Sequence, residues 1–553
     1  MFMRALLQLQ QALSTILASL DLPWPDKAVI EPPRDPRHGD LAANLALALG
    51  KHTGLPPRRL AEKLAEALRG HDTSLETIAV AGPGFLNVTF SPAFWQNMVP
   101  AVEEAGDCFG AGQAGTGRRI QVEYVSANPT GPLHIGHGRG AAVGNSLARI
   151  LRFAGWDVST EYYTNDAGRQ MRLLGVSIWL RLKEAAGRPV DWPDDLYRGA
   201  YIRDIAREML AADPHLASLP DAEGEERCFA HGMRAILEGI KDDLAAFRAE
   251  HQVWFSERSL VDQGLVEATF DRLRAAGLTF EHEGALWFRT TQCGDDKDRV
   301  LRKSDGSLTY FASDIAYHDD KYRRGFDRVV DVWGADHHGY VPRMRAAVSA
   351  LGRRPEDFDV VLIQLVTLLQ KGETVAMSTR AGTFETLADV VREVGADAAR
   401  FMFLSRKSDS PLDFDLDLVR RRSMDNPVYY VQYAHARAQS MLRRAAEEGL
   451  TLPPRTPQTV LAALHQPEEL ALLRAMDRFA DVAAFAAADL APHSISHYLL
   501  ELAGQVHSYY AKYPVLQACD ADVTTARLAL MRALGQIIRN GLNLLGVSAP
   551  DSM

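Results

Sequence analysis

Two histidines, His134 and His137, are the residues whose types and spacing first indicate chemistry. They stand three positions apart in a glycine-rich stretch, with Gly136 and Gly138 beside them. Imidazole N–H groups donate hydrogen bonds, and glycines allow a ligand to approach the backbone closely. The pattern therefore predicts a site for an anion, of which a phosphate is the simplest choice.

The residues around this pair predict that it lies at the start of a helix. Apolar residues alternate over 120–124, which is typical of a strand, and the segment NPTGP at 128–132 then requires a turn. Apolar residues at helical spacing follow over 143–151. The free backbone N–H groups and the positive end of the dipole at a helix start both favour a bound anion.

Two other interpretations of the pair stay open from these residues alone: a zinc-binding pair, or two surface histidines on an ordinary strand-to-helix turn. No cysteine or third histidine lies close by in the sequence, which weakens the zinc interpretation. The glycines leave room for a flat ring against the backbone, which a structural zinc site does not require. The pattern thus favours a nucleotide over a metal ion.

The residues His134-Ile135-Gly136-His137 resemble the HIGH signature of class I aminoacyl-tRNA synthetases, and the string SANPTGPL at 126–133 resembles that of the arginine-specific family. The resemblance implies an arginine–tRNA ligase. Such an enzyme activates L-arginine with ATP to arginyl-adenylate and transfers the arginyl group to the 2′-hydroxyl of the terminal adenosine of tRNA(Arg), with release of AMP and pyrophosphate. The resemblance also implies Mg²⁺ bound with ATP, activation that needs bound tRNA, and a monomer.

Length and composition set bounds on the architecture. A chain of 553 residues with 47% hydrophobic residues predicts about three domains with ample cores. The four cysteines are scattered with no C-x-x-C pair, so the sequence favours neither a disulfide framework nor a protein-bound structural metal. This usage fits a reducing cytoplasm, and no apolar run reaches membrane-spanning length.

The net charge of −10 argues against a protein that coats nucleic acid non-specifically, because phosphate binding needs concentrated Lys and Arg. Local basic clusters, among them Arg420-Arg421-Arg422, still offer a contact track for tRNA. Each such cluster is nevertheless more often solvated surface. The composition therefore disfavours general nucleic-acid binding but does not exclude binding of tRNA at specific contacts.

Three domains are predicted along the chain, built around a doubly wound parallel sheet of the Rossmann-like class I synthetase type. Residues 1–115 form a small α/β unit, and residues 116–410 form the catalytic domain with an insertion at about 180–300. Residues 411–553 form the third domain, which is almost wholly helical by periodicity from Asp425 onward and is predicted to be a bundle. The individual elements predicted are helices near 1–20, 40–50 and 57–69 and strands at 78–80, 85–90, 157–163, 328–332 and 360–365.

The two outer domains also resemble those of the family. Arg37-His38-Gly39-Asp40 resembles the additional N-terminal domain, which implies contact with the corner of the tRNA. The bundle opens and closes with segments that resemble the anticodon-binding domain, and by that match Tyr430, Tyr433 and Met553 bind the anticodon. Judged by spacing alone, two tyrosines near one helical turn apart are more often part of the core of a bundle.

A guanidinium substrate calls for carboxylates in a forked arrangement, with an aromatic plane beside them. The segment at 304–318 resembles the family segment that reads the arginine side chain, so Tyr310 and Asp314 are the implied guanidinium ligands. Glu123 is a further predicted arginine ligand, with Ser126 and Asn128 nearer the α-amino group. Without the match, Tyr310 and Asp314 are an ordinary helix pair, and Glu123 is a solvent-facing strand residue.

His134 and His137 are the first predicted catalytic residues, because they can donate to phosphate oxygens whose charge grows in the transition state. Gly136 and Gly138 are predicted to bind ATP, since they let the nucleotide lie close to the backbone.

The turn GADHH at 334–338 is the second part of the predicted ATP site. Asp336 or a neighbouring histidine, of which His338 is our choice, is expected to hold the ribose. A metal cluster of Asp336, His337 and His338 is the alternative, because two histidines and a carboxylate are a common ligand set.

The second class I signature, a lysine-rich loop, corresponds to the segment AMSTRAG at 376–382. Both lysines are absent here, although that loop normally neutralises the β- and γ-phosphates. We expect Arg380, or Lys371 a few residues upstream, to approach the pyrophosphate as a further catalytic residue, with Mg²⁺ sharing the charge. Met377 and Ser378 are the implied ATP-binding residues of this loop.

Two other functions are compatible with parts of the pattern. A small-molecule adenylyltransferase shares the H-x-G-H turn but needs no long C-terminal bundle. A synthetase-like tRNA-binding paralogue without catalysis is favoured by the missing lysines and opposed by the intact histidine turn.

Overall fold

A computed structural model describes residues 3–166, 168–375, 386–516 and 520–553. An N-terminal α/β unit, a domain built on a parallel sheet and a C-terminal helical bundle follow one another along the chain. One large buried apolar core runs through all three, and a second, smaller core lies within the middle domain. This arrangement confirms the predicted fold class.

The N-terminal unit packs helices on a four-stranded antiparallel sheet of order β1-β2-β4-β3. Its elements are α1 (Met3–Ser19), β1 (Ile30–Glu31), β2 (Leu41–Ala43), α2 (Leu45–Thr53), α3 (Pro57–His71), β3 (Leu75–Ala81), β4 (Phe85–Phe90), α4 (Pro92–Gln96) and α5 (Met98–Ala105). The predicted strand pair is confirmed, with Ile78 opposite Val88.

One element of this unit differs from the prediction. The helix expected over 40–50 begins only at Leu45, and the three residues before Asn44 form β2, paired with β1 and β4. Leu41 and Ala43 are fully buried on one face of the sheet. A three-residue strand is too short to reveal its alternation inside an apolar run that also fits a helical period.

The middle domain is organised by a five-stranded sheet of order β12-β11-β5-β6-β7, in which all neighbours are parallel. Its first elements are β5 (Arg119–Glu123), α6 (Ile135–Phe153), β6 (Asp157–Thr164), α7 (Arg169–Ala185), α8 (Ala200–Ala212), α9 (Asp221–Ala246), β7 (Val253–Ser256), α10 (Glu257–Asp262) and α11 (Leu265–Ala275). Because the strands are parallel, their carboxyl ends meet at one edge, where ligands of such folds bind.

The remaining elements complete this sheet and add two small ones. They are β8 (Thr279–His282), β9 (Ala285–Phe288), β10 (Arg299–Arg302), α12 (Tyr310–Arg323), β11 (Arg328–Gly334), α13 (Val341–Ala350), β12 (Phe358–Ile363), β13 (Val366–Gln370), β14 (Glu373–Thr374), α14 (Leu387–Val394), α15 (Ala396–Phe403), β15 (Leu412–Asp415) and α16 (Leu416–Arg420). Strands β8 to β10 form an antiparallel sheet next to α12, and β13 pairs with β14 and β15.

The region predicted as an insertion at about 180–300 has a mixed character. It contains the α8–α9 helices and the β8–β10 sheet, as expected for inserted chain. It also contains β7, the edge strand of the parallel sheet, which pairs with β6. All four residues of β7 are half-buried, so no apolar alternation marks the strand in the sequence.

The C-terminal bundle consists of α17 (Pro427–Glu447), α18 (Gln458–Leu461), α19 (Pro467–Ala488), α20 (His493–Lys512) and α21 (Ala521–Leu544). Helix α19 also packs against α6, α4 and α1, and α21 packs against α5 and α6. Among the helices within the described ranges, none is both long enough and apolar enough to cross a membrane.

Candidate functional site

The turn between β5 and α6 holds its two histidines in a fixed, stacked arrangement. His134 caps α6, and its Nδ1 accepts a hydrogen bond from the Gly136 N–H at 3.1 Å. The His137 Nδ1 accepts from the His134 N–H at 3.2 Å, and the two ring centroids lie 3.7 Å apart. The first turn of the helix therefore orients both rings through its own backbone.

These contacts determine the protonation of both rings. Burial lowers the pKa of His134, and burial together with the neighbouring imidazole lowers the pKa of His137 to about 3. A neutral imidazole has one N–H, and the Nδ1 atom of each ring already accepts a backbone N–H. Each ring therefore has its proton on Nε2 and can donate from that atom to a phosphate oxygen.

The histidine turn is joined to the segment that follows the second signature. His134 forms an isolated antiparallel bridge with Thr386, and the Leu387 N–H donates to the Leu133 carbonyl at 2.8 Å. A Cβ on Gly138 would lie 2.7 Å from Leu387 Cδ1. Glycine at 138 thus lets α14 pack closely against the start of α6.

Arg139 fixes the same helix start to the end of another strand. Its buried guanidinium donates to the carbonyls of Gln364 at 2.9 Å, Ser410 at 2.8 Å and Lys407 at 2.9 Å. Burial lowers the pKa of Arg139 to about 10, so the group stays charged at neutral pH. Gln364 directly follows β12, and Arg139 therefore holds α6 at the carboxyl edge of the sheet.

A cavity of about 250 Å³ lies at that edge. It brings together four of the five predicted arginine ligands: Glu123, Ser126, Asn128 and Asp314. The other residues that line it are Val125, Tyr163, Asn165, Tyr317, His318, Asp331, Val332, Trp333, Gly334, His337 and Tyr340. Tyr310, the fifth predicted ligand, begins α12 with 74% of its surface exposed and does not line the cavity.

Asp314 is the carboxylate of this cavity with an oxygen available to a ligand. Its Oδ2 accepts a hydrogen bond from the Tyr340 hydroxyl, and Oδ1 has no partner among the described residues. Burial raises the pKa of Asp314, whereas the bond from Tyr340 lowers it. Asn128 is exposed at the rim and donates to the Gln170 side chain at 2.8 Å.

Glu123 is buried and has both carboxylate oxygens engaged. Oε2 accepts from the Lys321 ammonium at 2.6 Å, and Oε1 accepts from the Ser126 hydroxyl at 2.8 Å. Lys321 also donates to Asp331 at 2.8 Å, and the other Asp331 oxygen lies 2.8 Å from His318 Nε2. Burial opposes the ionisation of Asp331, but the Lys321 ammonium and the hydrogen bonds from Lys321 and His318 outweigh it and lower the pKa of Asp331 to about 2.

The predicted ATP residues of the 334–338 turn lie on the surface. Asp336 and His338 are exposed, and neither lines the cavity, whereas His337 between them does. His337 Nε2 lies 3.6 Å from an Asp336 carboxylate oxygen. Across the described parts of the chain, no three His, Cys, Asp or Glu side chains converge as metal ligands, which disfavours the metal interpretation of this turn.

The cations predicted to replace the missing lysines are described only in part. Lys371 occupies the exposed turn between β13 and β14 with a left-handed φ of 54°, and its N–H donates to Asp417 at 2.7 Å. Arg380, together with Met377 and Ser378, lies outside the described residues.

Two of the three predicted anticodon residues, Met553 and Tyr430, line grooves beside α17, whereas Tyr433 lines neither groove. Met553, with 50% of its surface exposed, lines a groove of about 720 Å³ together with Tyr429 and the cluster Arg420-Arg421-Arg422. Tyr433 stacks on Tyr429 at 6.0 Å. Tyr430 lines a separate groove of about 480 Å³ between α17, α19 and α20.

Several residues of the site are not among the predicted site residues, namely Arg139, Lys321, His318, Asp331 and Tyr340. A weak signal did exist for three of them. His318 and Lys321 follow Asp314 by four and seven positions, which places all three on one face of α12. Asp331 interrupts the apolar run of a central strand, where a charge is rare unless it is paired.

Three family models match successive parts of the chain. The model described as arginyl tRNA synthetase N terminal domain matches residues 7–90, and that described as tRNA synthetases class I (R), catalytic domain, matches residues 105–410. The DALR anticodon binding domain matches residues 431–553.

Whole-chain comparisons agree with these matches. The chain is 68% identical over 551 residues to an arginine–tRNA ligase of Nitratidesulfovibrio vulgaris (strain DSM 19637 / Miyazaki F), with 100% of each chain covered. It is 58% identical over 553 residues to the arginine–tRNA ligase of Solidesulfovibrio magneticus, again with 100% of each covered. The solved structure of Thermus thermophilus arginyl-tRNA synthetase has the same fold, with a TM-score of 0.73, 24% identity and full coverage of both chains. The chain therefore belongs to the arginyl-tRNA synthetase family of class I aminoacyl-tRNA synthetases.

Proposed function

We propose that this chain is an arginine–tRNA ligase whose two reactants meet at residues 123–137. The enzyme activates L-arginine with ATP to arginyl-adenylate and transfers the arginyl group to the terminal adenosine of tRNA(Arg). One observation supports this most strongly. A cavity with an open carboxylate and a pair of neutral imidazole donors lie at the carboxyl end of the same strand, β5.

Activation is an in-line attack of the arginine carboxylate on the α-phosphorus of ATP. His134 and His137 donate from Nε2 to the phosphate oxygens, and these bonds strengthen as negative charge develops on the departing pyrophosphate. Both rings act as neutral hydrogen-bond donors and not as cations. Gly136 keeps the start of α6 open to the nucleotide, Gly138 lets the same turn lie close to α14, and Asp336 or His338 holds the ribose.

Charge on the pyrophosphate is neutralised by Arg380 or Lys371, which stand in for the absent lysines. Mg²⁺ enters with ATP as part of the substrate and shares this charge. Met377 and Ser378 complete the ATP site.

Arginine binds in the cavity with its guanidinium facing Asp314. The open Oδ1 of Asp314 supports this assignment, since a guanidinium pairs best with a carboxylate that keeps a free lone pair. Asn128 and Ser126 lie nearer the α-amino group, and Glu123 forms the wall behind them. Tyr310, one helical turn before Asp314 on α12, is the proposed aromatic partner of the guanidinium.

The bundle and the N-terminal unit bind the tRNA. Tyr430 and Tyr433 stack on splayed anticodon bases, and Met553 contacts them from the groove lined by Arg420-Arg421-Arg422. Residues 1–115 contact the corner of the tRNA. The enzyme acts as a monomer, and arginine activation needs bound tRNA.

Aminoacylation of bulk tRNA with each of the twenty amino acids in turn tests the overall function. Arginine alone should be incorporated, and only in the presence of ATP. Adenylation of a small molecule without charging of tRNA would identify an adenylyltransferase instead. Binding of tRNA without any charging would identify a non-catalytic paralogue.

A second experiment tests the pocket. Asp314→Asn keeps the shape of the side chain and removes its charge. It should raise the KM for arginine about 100-fold, because a charge-assisted pair to a guanidinium is lost, while the KM for ATP stays within twofold.

Omission of tRNA from the ATP–pyrophosphate exchange assay should abolish exchange, and full exchange without tRNA would contradict the tRNA requirement.

A further inference from the structure

Lys321 is a fully buried cation next to the proposed arginine cavity. It is carried by α12, whereas its partners are carried by the strands β5 and β11. The ammonium donates to Glu123 at the end of β5 and to Asp331 within β11, at 2.6 and 2.8 Å. It also lies 4.3 Å from the ring centroid of Tyr317. The ammonium therefore bridges both carboxylates.

The bond from Lys321 leads directly to a strained part of the cavity wall. Glu123 Oε1 accepts from the Ser126 hydroxyl, and the same hydroxyl oxygen accepts the Tyr163 N–H at 3.0 Å. Val125 and Ser126 have φ values of 69° and 41°. A branched residue in the left-handed region is unfavourable, so the surroundings must hold this turn in place. The Glu123–Ser126–Tyr163 chain is one of the contacts that do so, beside the bond from the Ser126 N–H to the Tyr124 carbonyl at 3.0 Å.

The same arrangement separates the two carboxylates that face arginine. Both oxygens of Glu123 are occupied by Lys321 and Ser126, whereas Asp314 keeps Oδ1 open. Without the Lys321 ammonium, the two buried carboxylates Glu123 and Asp331 would lose the cation that they share. Glu123 would then be free to turn toward an incoming guanidinium or to take up a proton.

We propose that Lys321 is a positioning residue for arginine. It does not touch the substrate. It holds Glu123, and through Glu123 it holds the Val125–Ser126 turn, so that Ser126 and Asn128 face the cavity and the guanidinium is directed to Asp314. This inference rests on the proposed function, because it assigns arginine to the cavity of Glu123 and Asp314.

A purely structural role for Lys321 predicts different effects on stability and on the kinetic constants. A buried ion pair that only joins β5, β11 and α12 would lower stability when removed, and it would change the kinetic constants of arginine and ATP alike. A positioning role changes the arginine site selectively. The comparison of KM values for the two substrates therefore separates the two roles.

The test uses the full-length enzyme in tRNA-supported, arginine-dependent ATP–pyrophosphate exchange. Lys321→Met should raise the KM for arginine about thirtyfold, which is about 2 kcal/mol at 1.36 kcal/mol per tenfold, and should leave the KM for ATP within twofold. Lys321→Arg, which keeps a cation able to bridge both carboxylates, should restore the arginine KM to within about threefold of the unmodified enzyme.

Arg272→Met is the matched control. Arg272 forms an ion pair with Asp319, a buried carboxylate on the same helix α12, but Asp319 does not line the cavity. This variant should lose stability without a selective change in the arginine KM. A selective arginine effect in Arg272→Met would show that any damage to α12 disturbs the pocket, and would overturn the proposal.

A double-mutant cycle tests the route through Ser126. If Lys321 acts by way of Glu123 and Ser126, then Lys321→Met and Ser126→Ala must have non-additive effects on the arginine KM. Additive effects would contradict the proposed route.

A second pair of variants covers the case in which Lys321→Met does not fold. Lys321→Met/Asp331→Asn leaves only Glu123 without its cation, and Asp331→Asn alone leaves Lys321 on Glu123. The proposal expects the arginine KM of the double variant to be at least tenfold above that of Asp331→Asn, with the KM for ATP within twofold between the two variants. Equal behaviour of the two variants overturns it. Failure of the unmodified enzyme to charge tRNA with arginine would instead overturn the proposed function.

Discussion

His134 and His137 are neutral hydrogen-bond donors because the backbone of α6 occupies the Nδ1 atom of each ring. The type and spacing of the two residues are enough to predict a phosphate site. Their protonation could not be predicted from the sequence, since it depends on burial and on which nitrogen accepts the backbone N–H. The ion pair between Lys321 and Asp331 could not be predicted either, because the two residues are ten positions apart and lie on two different elements.

The first prediction concerns the donor on His137. His137→Ala should lower kcat in tRNA-supported exchange by about 10²–10³, the usual effect of removing one donor to developing charge. His137→Gln keeps an N–H near the position of Nε2, and its kcat should be at least tenfold higher than that of His137→Ala. A loss of less than threefold in the alanine variant would show that His137 does not contact the reacting phosphates.

A second prediction concerns stability as a function of pH. The imidazole of an unfolded chain has a pKa of about 6.5, whereas burial holds the pKa of His137 at about 3 in the folded protein. Between these values only the unfolded state takes up the proton. The contribution of neutral His137 to stability is therefore complete above about pH 6.5 and is lost as the pH falls toward 3.

Urea unfolding at pH 7.5 and pH 5 measures this dependence. His137→Asn should lose less stability between the two pH values than the unmodified protein, because it has no imidazole to protonate. His282→Asn, at an exposed position, is the control for removal of one histidine. Equal pH slopes for His137→Asn and the unmodified protein would contradict the assignment.

At the scale of elements, the parallel sheet and the position of the site at its carboxyl edge followed from the alternation of strands with helices. Several short strands did not follow, and β2 and β7 show why. Strand β2 lies within an apolar run that also fits a helix, and β7 consists of four half-buried residues with no alternation. Both are formed because a neighbouring strand offers its free backbone groups, and that information is absent from the local sequence.

Helix α6 is the element on which the third prediction depends. Arg139→Met removes a guanidinium that donates to three carbonyls, those of Gln364, Lys407 and Ser410. Unpaired buried carbonyls are costly, so the free energy of unfolding should fall by about 3 kcal/mol, and kcat should fall as the start of α6 loosens. Arg392→Met, which breaks an exposed ion pair, should cost less than about 1 kcal/mol in the same assay.

The fourth prediction concerns the second signature, whose lysines are absent. Arg380→Ala or Lys371→Ala should slow arginyl-adenylate formation at least tenfold, because one of these cations neutralises the pyrophosphate. Single-turnover measurement of adenylate formation with saturating MgATP and tRNA tests both variants. If neither loses more than about threefold, roughly 0.7 kcal/mol of barrier, then neither residue replaces the missing lysines.

At the scale of the whole molecule, one buried arginine joins three regions that are far apart in sequence. Arg400 on α15 donates to Asn145 of α6, to the carbonyls of Phe247 and Arg248 after α9, and to the Leu545 carbonyl after α21. Gly546 allows this approach, since a Cβ there would lie 2.3 Å from an Arg400 Nη atom. The end of the bundle is thus in direct contact with the helix that begins at the histidine turn.

The fifth prediction uses that contact. Gly546→Ala combines a left-handed φ of 66° with the clash against Arg400, and should lower the free energy of unfolding by about 2–4 kcal/mol. Gly449→Ala is the matched control, because its φ is 79° and no atom lies near its Cβ position. It should cost only the backbone term of about 1 kcal/mol. Thermal unfolding compares the two, and equal losses would show that the contact with Arg400 has no effect on stability.

The continuous apolar core that joins the three regions has a consequence for how this protein can be divided. Phe479 of α19 packs against Phe109 and Phe153, which lie before β5 and at the end of α6. A fragment cut near residue 115 or 411 would expose this apolar surface to water and tend to aggregate. The three regions that the sequence separates should therefore be expressed together and should unfold in one cooperative transition. For the same reason they should be retained together in evolution.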